Sequence, residues 1–186
     1  MVDELIREIK VCLKNGCYMA ALTIALTLPD ICGKAQYPDE KSTKKRYVKW
    51  FDEYIKQCGI FSDNYSSDIP YLSSELIYSL RCSVLHEGNP GVGQEKSDID
   101  YFELIWREKE SASSPIFRAE LVENESNKSY ECKRYSINLR YLCEVICQAT
   151  ENYYNKNKKL FNFLNYNLEV MDFHTRETFG IRSESL

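Results

Sequence analysis

Arg81 and His86 stand five positions apart near the end of the segment L-R-C-S-V-L-H-E-G, residues 80–88. A guanidinium carries fixed positive charge and forks onto phosphate oxygens, and an imidazole exchanges protons near neutral pH. Together they suit the breaking of a phosphodiester. The arginine would stabilise the phosphorus centre as it becomes pentacoordinate, and the histidine would move the proton of an attacking or leaving oxygen, such as an RNA 2′-hydroxyl. The alternative is a surface salt bridge and a helix-end donor, which is what one Arg and one His at such a place more often are.

The element that must position this pair is a helix. Leu76, Ile77, Leu80 and Val84 form one apolar stripe, Ser73 or Ser74 can cap its start, and Gly88, Asn89 and Pro90 stop it. On regular α geometry Arg81 and His86 would lie about 140° apart around the axis and about 7.5 Å apart along it. Between them runs a second, semi-apolar face of Tyr78, Cys82 and Leu85. The helix C-terminus and the neighbouring Glu87 favour a protonated His86. A face of this kind is poorly suited to water, and a symmetric dimer burying Tyr78, Cys82 and Leu85 would bring two copies of the pair into one composite site.

The rest of the chain reads as a scaffold for that helix. Leu5, Ile6, Ile9, Cys12 and Leu13 recur at helical spacing up to Asn15-Gly16, a terminator. A second helix over residues 17–28 is apolar nearly all round, and Pro29-Asp30 ends or kinks it. A third places Tyr47, Phe51, Tyr54, Ile55 and Cys58 on one stripe with lysines opposite, and Gly59 closes it. Residues 76–84 are the fourth. Phe102, Leu104 and Trp106, then Phe117, Ala119 and Leu121, alternate with polar or other residues, which predicts a small antiparallel hairpin of these two segments, although Ile99, Phe102, Ile105 and Trp106 also fit a helix. Residues 138–155 form the fifth helix, with Leu139, Leu142, Cys143, Ile146, Ala149 and Tyr153 on its buried stripe, and residues 160–173 a shorter last one.

Composition narrows the function. With 186 residues, 44% hydrophobic and 28% charged, the chain fits one globular domain. A formal charge of −4 argues against indiscriminate coating of nucleic acid, so RNA contact would need a local basic patch. Candidates are Lys41, Lys44, Lys45, Arg46 and Lys49, then Lys133, Arg134 and Arg140, and then Lys156, Lys158 and Lys159, each of which also reads as a solvated helix face. The 14 tyrosines can line an interface or cap a wet core edge. The first ten residues are too charged for a signal peptide, and the apolar run at residues 17–29 is too short to cross a bilayer, so a cytoplasmic protein without membrane contact is expected. Eight cysteines without a C-x-x-C pair, beside only two histidines, read as reduced thiols and not as a zinc site; Cys143 and Cys147 share a helix face. No metal and no cofactor are expected. The run G-N-P-G-V-G at residues 88–93 lacks the Gly-Lys-Ser/Thr ending of a phosphate loop, and His174 sits in a polar tail, so no Ser-His-Asp hydrolase can be assembled.

The R-x4-H segment resembles the R-x4-6-H motif of HEPN domains. Upstream, A-L-T-L-P-D-I-C-G at residues 25–33 and Y-V-K-W-F at residues 47–51 look like a subgroup of that family found in bacterial and mobile-element proteins. The resemblance covers roughly residues 5–149. It implies a mainly α, HEPN-like helical bundle that dimerises, with the hairpin inserted between the fourth and fifth helices, a single domain over residues 1–175 and a tail at 176–186. It also implies a metal-independent endoribonuclease of the kind found in toxin–antitoxin, antiviral defence and CRISPR systems. Arg81 would bind phosphate and stabilise the transition state, and His86 would act as general acid or base. Cys82 stands where the family commonly has Asn, and thiols are weak hydrogen-bond partners. Some relatives are non-catalytic, so the alternative is a module binding RNA, an antitoxin or another defence partner protein through the same face.

Overall fold

The computed structural model describes residues 1–55, 73–89, 101–105, 116–124 and 129–164. Within the strands, side chains are described only for residues 104–105 and 137–138. The element order is α1 (Val2–Lys14), α2 (Tyr18–Ala25), α3 (Leu28–Gln36), α4 (Thr43–Tyr54), α5 (Ser74–Cys82), β1 (Tyr101–Ile105), β2 (Ile116–Asn124), β3 (Ser129–Asn138) and α6 (Leu139–Asn157). The described residues are therefore mainly helical, with one small sheet.

Local chemistry sets the boundaries. The break after α1 falls at Gly16, whose φ of +73° is left-handed. The long apolar stretch is not one helix to Leu28 but two. Pro29 sits in the first turn of α3, where its missing N–H costs nothing, so it starts a helix instead of ending one. Ser42 caps α4 by accepting from the Lys45 N–H at 3.3 Å, and Asn138 caps α6 by accepting from the Tyr141 N–H at 3.2 Å. Cys58 and Gly59 lie outside the described residues, as do Trp106, Pro90 to Gly93, His174 and the tail. Of the expected last helix, only a short 3-10 turn at Lys158–Phe161 falls within them.

The sheet corrects the expected pairing. Both alternating segments are strands, but they do not pair with each other. β3 is central, antiparallel to β2 and parallel to β1, in the order β1-β3-β2. The hairpin partner of Ile116–Asn124 is Ser129–Asn138, over which no strand is expected from the sequence. β3 leads straight into α6, and Ile137 at their junction is buried, tying the sheet to the helical core.

That core joins Ile6 and Ile9 of α1, Leu22 of α2, Leu28 and Cys32 of α3, Tyr47, Trp50 and Phe51 of α4, Ile77 and Leu80 of α5, and Leu142 and Ile146 of α6. Burying each large apolar side chain contributes about 1.5–3 kcal/mol. Cys143 and Cys147 belong to this core. Burial pushes the Cys147 thiol up to about 12 and the Cys143 thiol higher still. Several tyrosines, among them Tyr37, Tyr54, Tyr78 and Tyr154, pack half-buried around the core, as expected of residues capping its wet edge.

One contact controls how closely α3 and α4 approach. A Cβ added at Gly33 would lie 2.8 Å from the Arg46 carbonyl oxygen and 3.0 Å from its carbon, both backbone atoms. Gly33→Ala should therefore force the two helices apart and lower stability by about 1–3 kcal/mol, read as a lower urea midpoint. An unchanged midpoint would mean that the helices separate at no cost.

Candidate active site

Ser73 caps α5 by accepting from the Leu76 N–H at 3.1 Å, and Leu76, Ile77 and Leu80 anchor the helix in the core. After Cys82 the helix widens. Residues Ser83–Glu87 form a π-helical turn, in which each carbonyl is bonded five residues on, and Gly88 closes it at φ +66° with its N–H on the Ser83 carbonyl. The Asn89 N–H reaches the same carbonyl at 3.1 Å. Such single wide turns are frequent at functional sites.

The wide turn changes the expected geometry. It takes up more residues per revolution than an α turn, so a residue five positions on lies nearer to one full revolution away. His86 is thereby swung back over Arg81, and Arg81 Nη1 lies 3.1 Å from His86 Nε2. The two side chains do not flank a face from opposite sides; they touch. Gly88→Ala would place a side chain in left-handed backbone with open space around it among the described residues, so the expected loss is conformational only, about 1–2 kcal/mol. A melting curve of this variant checks it, and a loss well above that range would point to a contact at Gly88 that the geometry lacks.

A residue not singled out from the sequence completes the site. Arg81 Nε donates to Asp30 Oδ2 at 2.9 Å, and Nη2 lies 2.9 Å from the same oxygen. Asp30 comes from the first turn of α3. The two side chains are only 17% and 18% exposed, which makes this a half-buried pair and not a surface salt bridge. Burial raises the Asp30 carboxyl above its ordinary range despite the opposing charge of Arg81. For Arg81, burial favours the neutral form, but the Asp30 charge and contacts to Asp30 and Cys82 outweigh it, and the guanidinium is held charged. A single acid within an otherwise apolar stretch needs a counter-charge, and that was the available signal for Asp30. Which cation would answer it is a tertiary fact.

Behind the pair lies a buried wall. Tyr47 is fully buried, its ring meets the Tyr78 ring edge-on at 5.3 Å, and neither its hydroxyl nor Asp30 Oδ1 has a hydrogen-bond partner among the described residues. The Arg81 guanidinium lies 5.9 Å from the centre of the Tyr78 ring. Cys82 contacts both Arg81 and the Tyr78 phenol through its thiol. Tyr78, Cys82 and Leu85 are half-buried, while His86 and Glu87 are exposed on the last turn.

The comparisons with known proteins find no matching family model, no similar curated protein and no similar solved structure.

Arginine only donates, so a hydrogen bond at this contact has Nε2 as its acceptor, which the tautomer with its proton on Nδ1 provides. Asp30 and His86 occupy part of the guanidinium fork, and further N–H groups remain for an anionic oxygen.

Of the basic clusters, Arg46 is close enough for its charge to favour ionised Asp30. Arg140 serves the scaffold, since its Nη2 donates to the Leu13 carbonyl at the end of α1, at 3.2 Å. The Lys133 and Arg134 side chains lie outside those described. No helix among the described residues is long and apolar enough to cross a membrane.

Proposed function

We propose that this chain is a metal-independent endoribonuclease of HEPN type, working as a homodimer. The observation that carries the reading is the Arg81–His86 contact, with Arg81 anchored from behind by Asp30. A charged fork held in place beside an imidazole is what cleavage by a 2′-hydroxyl requires.

In this mechanism an RNA phosphate takes the remaining donors of Arg81 and draws the guanidinium off Nε2. The freed nitrogen accepts the 2′-hydroxyl proton as that oxygen attacks the adjacent phosphorus. The P–O5′ bond breaks, the 5′-oxygen leaves with a proton from the protonated His86 of the second copy, and a 2′,3′-cyclic phosphate remains. Tyr78, Cys82 and Leu85 supply the half-buried face on which the second α5 packs.

Cys82 favours a second reading. Its thiol occupies the place next to Arg81 where a stronger hydrogen-bonding residue is common in the family, and a non-catalytic module binding RNA or a partner protein would tolerate that. Purified protein incubated with total RNA in excess EDTA separates the two. Fragments ending in cyclic phosphate support the enzyme, and intact RNA supports the module. Light scattering that finds a monomer at micromolar concentration would remove the composite site.

A further inference from the structure

Tyr153, buried on α6, joins three elements. Its hydroxyl donates to Gln36 Oε1 at the end of α3 at 2.7 Å, and its ring meets Tyr54 of α4 at 4.7 Å and Phe161 of the 3-10 turn at 5.9 Å. The surface around this hub carries aromatic rings, each beside a lysine. Lys49 Nζ lies 4.1 Å from the centre of the Tyr37 ring, Lys158 Nζ 5.5 Å from Tyr154, and Lys34 Nζ 4.8 Å from Phe163. Tyr154 and Phe163 both pack on Phe161, at 4.9 and 6.3 Å, so these two rings belong to one patch, and Tyr37 follows Gln36, the residue that accepts from the Tyr153 hydroxyl. Phe163 keeps 38% of its surface exposed, unusual for so large an apolar side chain.

We propose that this surface binds single-stranded RNA, with bases stacking on Tyr37, Tyr154 and Phe163 and phosphates meeting Lys34, Lys49 and Lys158. A single strand presents flat bases and anionic phosphates in alternation, and sequence-tolerant binding surfaces match it with aromatic faces and cations. Lysine is depleted at the centre of protein–protein interfaces, whereas each of these three rings has one. The nearby carboxylate of Glu53 accepts a hydrogen bond from the Tyr37 phenol, which ties it into the fold. In a chain of net charge −4, such a local concentration of lysine is what contact with a polyanion requires.

The patch also has a place in the proposed reaction, and this part rests on the ribonuclease reading. Lys34 follows Asp30 by four residues, on the same face of α3 and about 6 Å further along its axis. A strand held by the patch thus runs one helical turn from the anchor of Arg81.

The test is fluorescence anisotropy of the full chain with a short 2′-O-methyl oligouridine, which has no free 2′-hydroxyl and cannot be cut. Phe163→Ala should weaken binding about tenfold, the value of one stacked base. Lys34→Glu with Lys158→Glu should weaken it at least about tenfold and flatten its salt dependence. Heparin, an anion without bases, should bind Phe163→Ala as tightly as the parent and bind the lysine variant more weakly. Failure of the parent to bind the oligonucleotide at low salt overturns the proposal, and so does unchanged binding by both variants with helical circular dichroism intact. Equal loss toward RNA and heparin in Phe163→Ala would also overturn the stacking role. Cleavage by the parent with none of these binding losses would leave the ribonuclease standing and the patch refuted. Binding losses without cleavage would do the reverse.

Discussion

Arg81→Ala is expected to slow RNA cleavage by about 100- to 1,000-fold, and His86→Ala by about 100- to 10,000-fold. The arginine is assigned the charge on the phosphate, a contribution made mainly in the transition state, so kcat should fall more than KM rises. Arg81→Lys keeps the charge but loses the fork that spans Asp30, His86 and a phosphate, and should restore little. The double variant should be no slower than the slower single, because the two groups act as a unit. His86 is exposed, so His86→Ala should melt within about 0.5 kcal/mol of the parent and separate chemistry from folding. If both single variants cut RNA at the parent rate, the activity does not come from this site.

Asp30→Ala carries the largest expected loss of stability, about 3 kcal/mol. Removing the carboxylate leaves the Arg81 guanidinium mostly buried without its counter-charge, and its Nε and Nη2 donors without an acceptor. Arg81→Leu strands Asp30 in the same way. The combined variant Asp30→Ala with Arg81→Leu should therefore be less destabilised than the sum of the singles, and a double-mutant cycle by urea denaturation reads the difference. Strict additivity would show that the pair is not coupled.

The same residue gives a signed pH dependence. Burial holds the Asp30 carboxyl above its value in the unfolded chain. A carboxyl raised on folding contributes stability that is complete below the unfolded value and is lost as pH rises through the folded one. The parent should lose that part of its stability as pH rises across the upper carboxylate range. Asp30→Asn should lack that slope.

Much of the scaffold could be read from local pattern. The stripe from Leu139 to Tyr153, the cap at Ser73, the stop at Gly88 and the break at Gly16 follow from side-chain periodicity and backbone freedom, which neighbouring residues determine. Strand partners were not legible in the same way. β1 and β2 both announce themselves by alternation, but pairing depends on which third segment lies between them, and no strand was expected over β3. Pro29 misled because a proline can end one helix or begin the next, and only the start of α3 decides.

The site was half legible. Residue type together with the R-x4-6-H resemblance picked out Arg81 and His86, and their side-chain contact was not foreseen because regular α geometry was applied to a turn that is not α. Asp30 was hidden by sequence separation, since the acid and its arginine meet only when α3 and α5 converge on α4.

The widened turn at the end of α5 means that the reach from charge to base is set by the main chain, with little left for side-chain rotamers to adjust. Loss of a single residue between Cys82 and His86 would leave both side chains in the chain, yet it would rotate the imidazole away from the guanidinium. The spacing of this segment is therefore itself a condition of the Arg81–His86 contact, as much as the identities at its two ends.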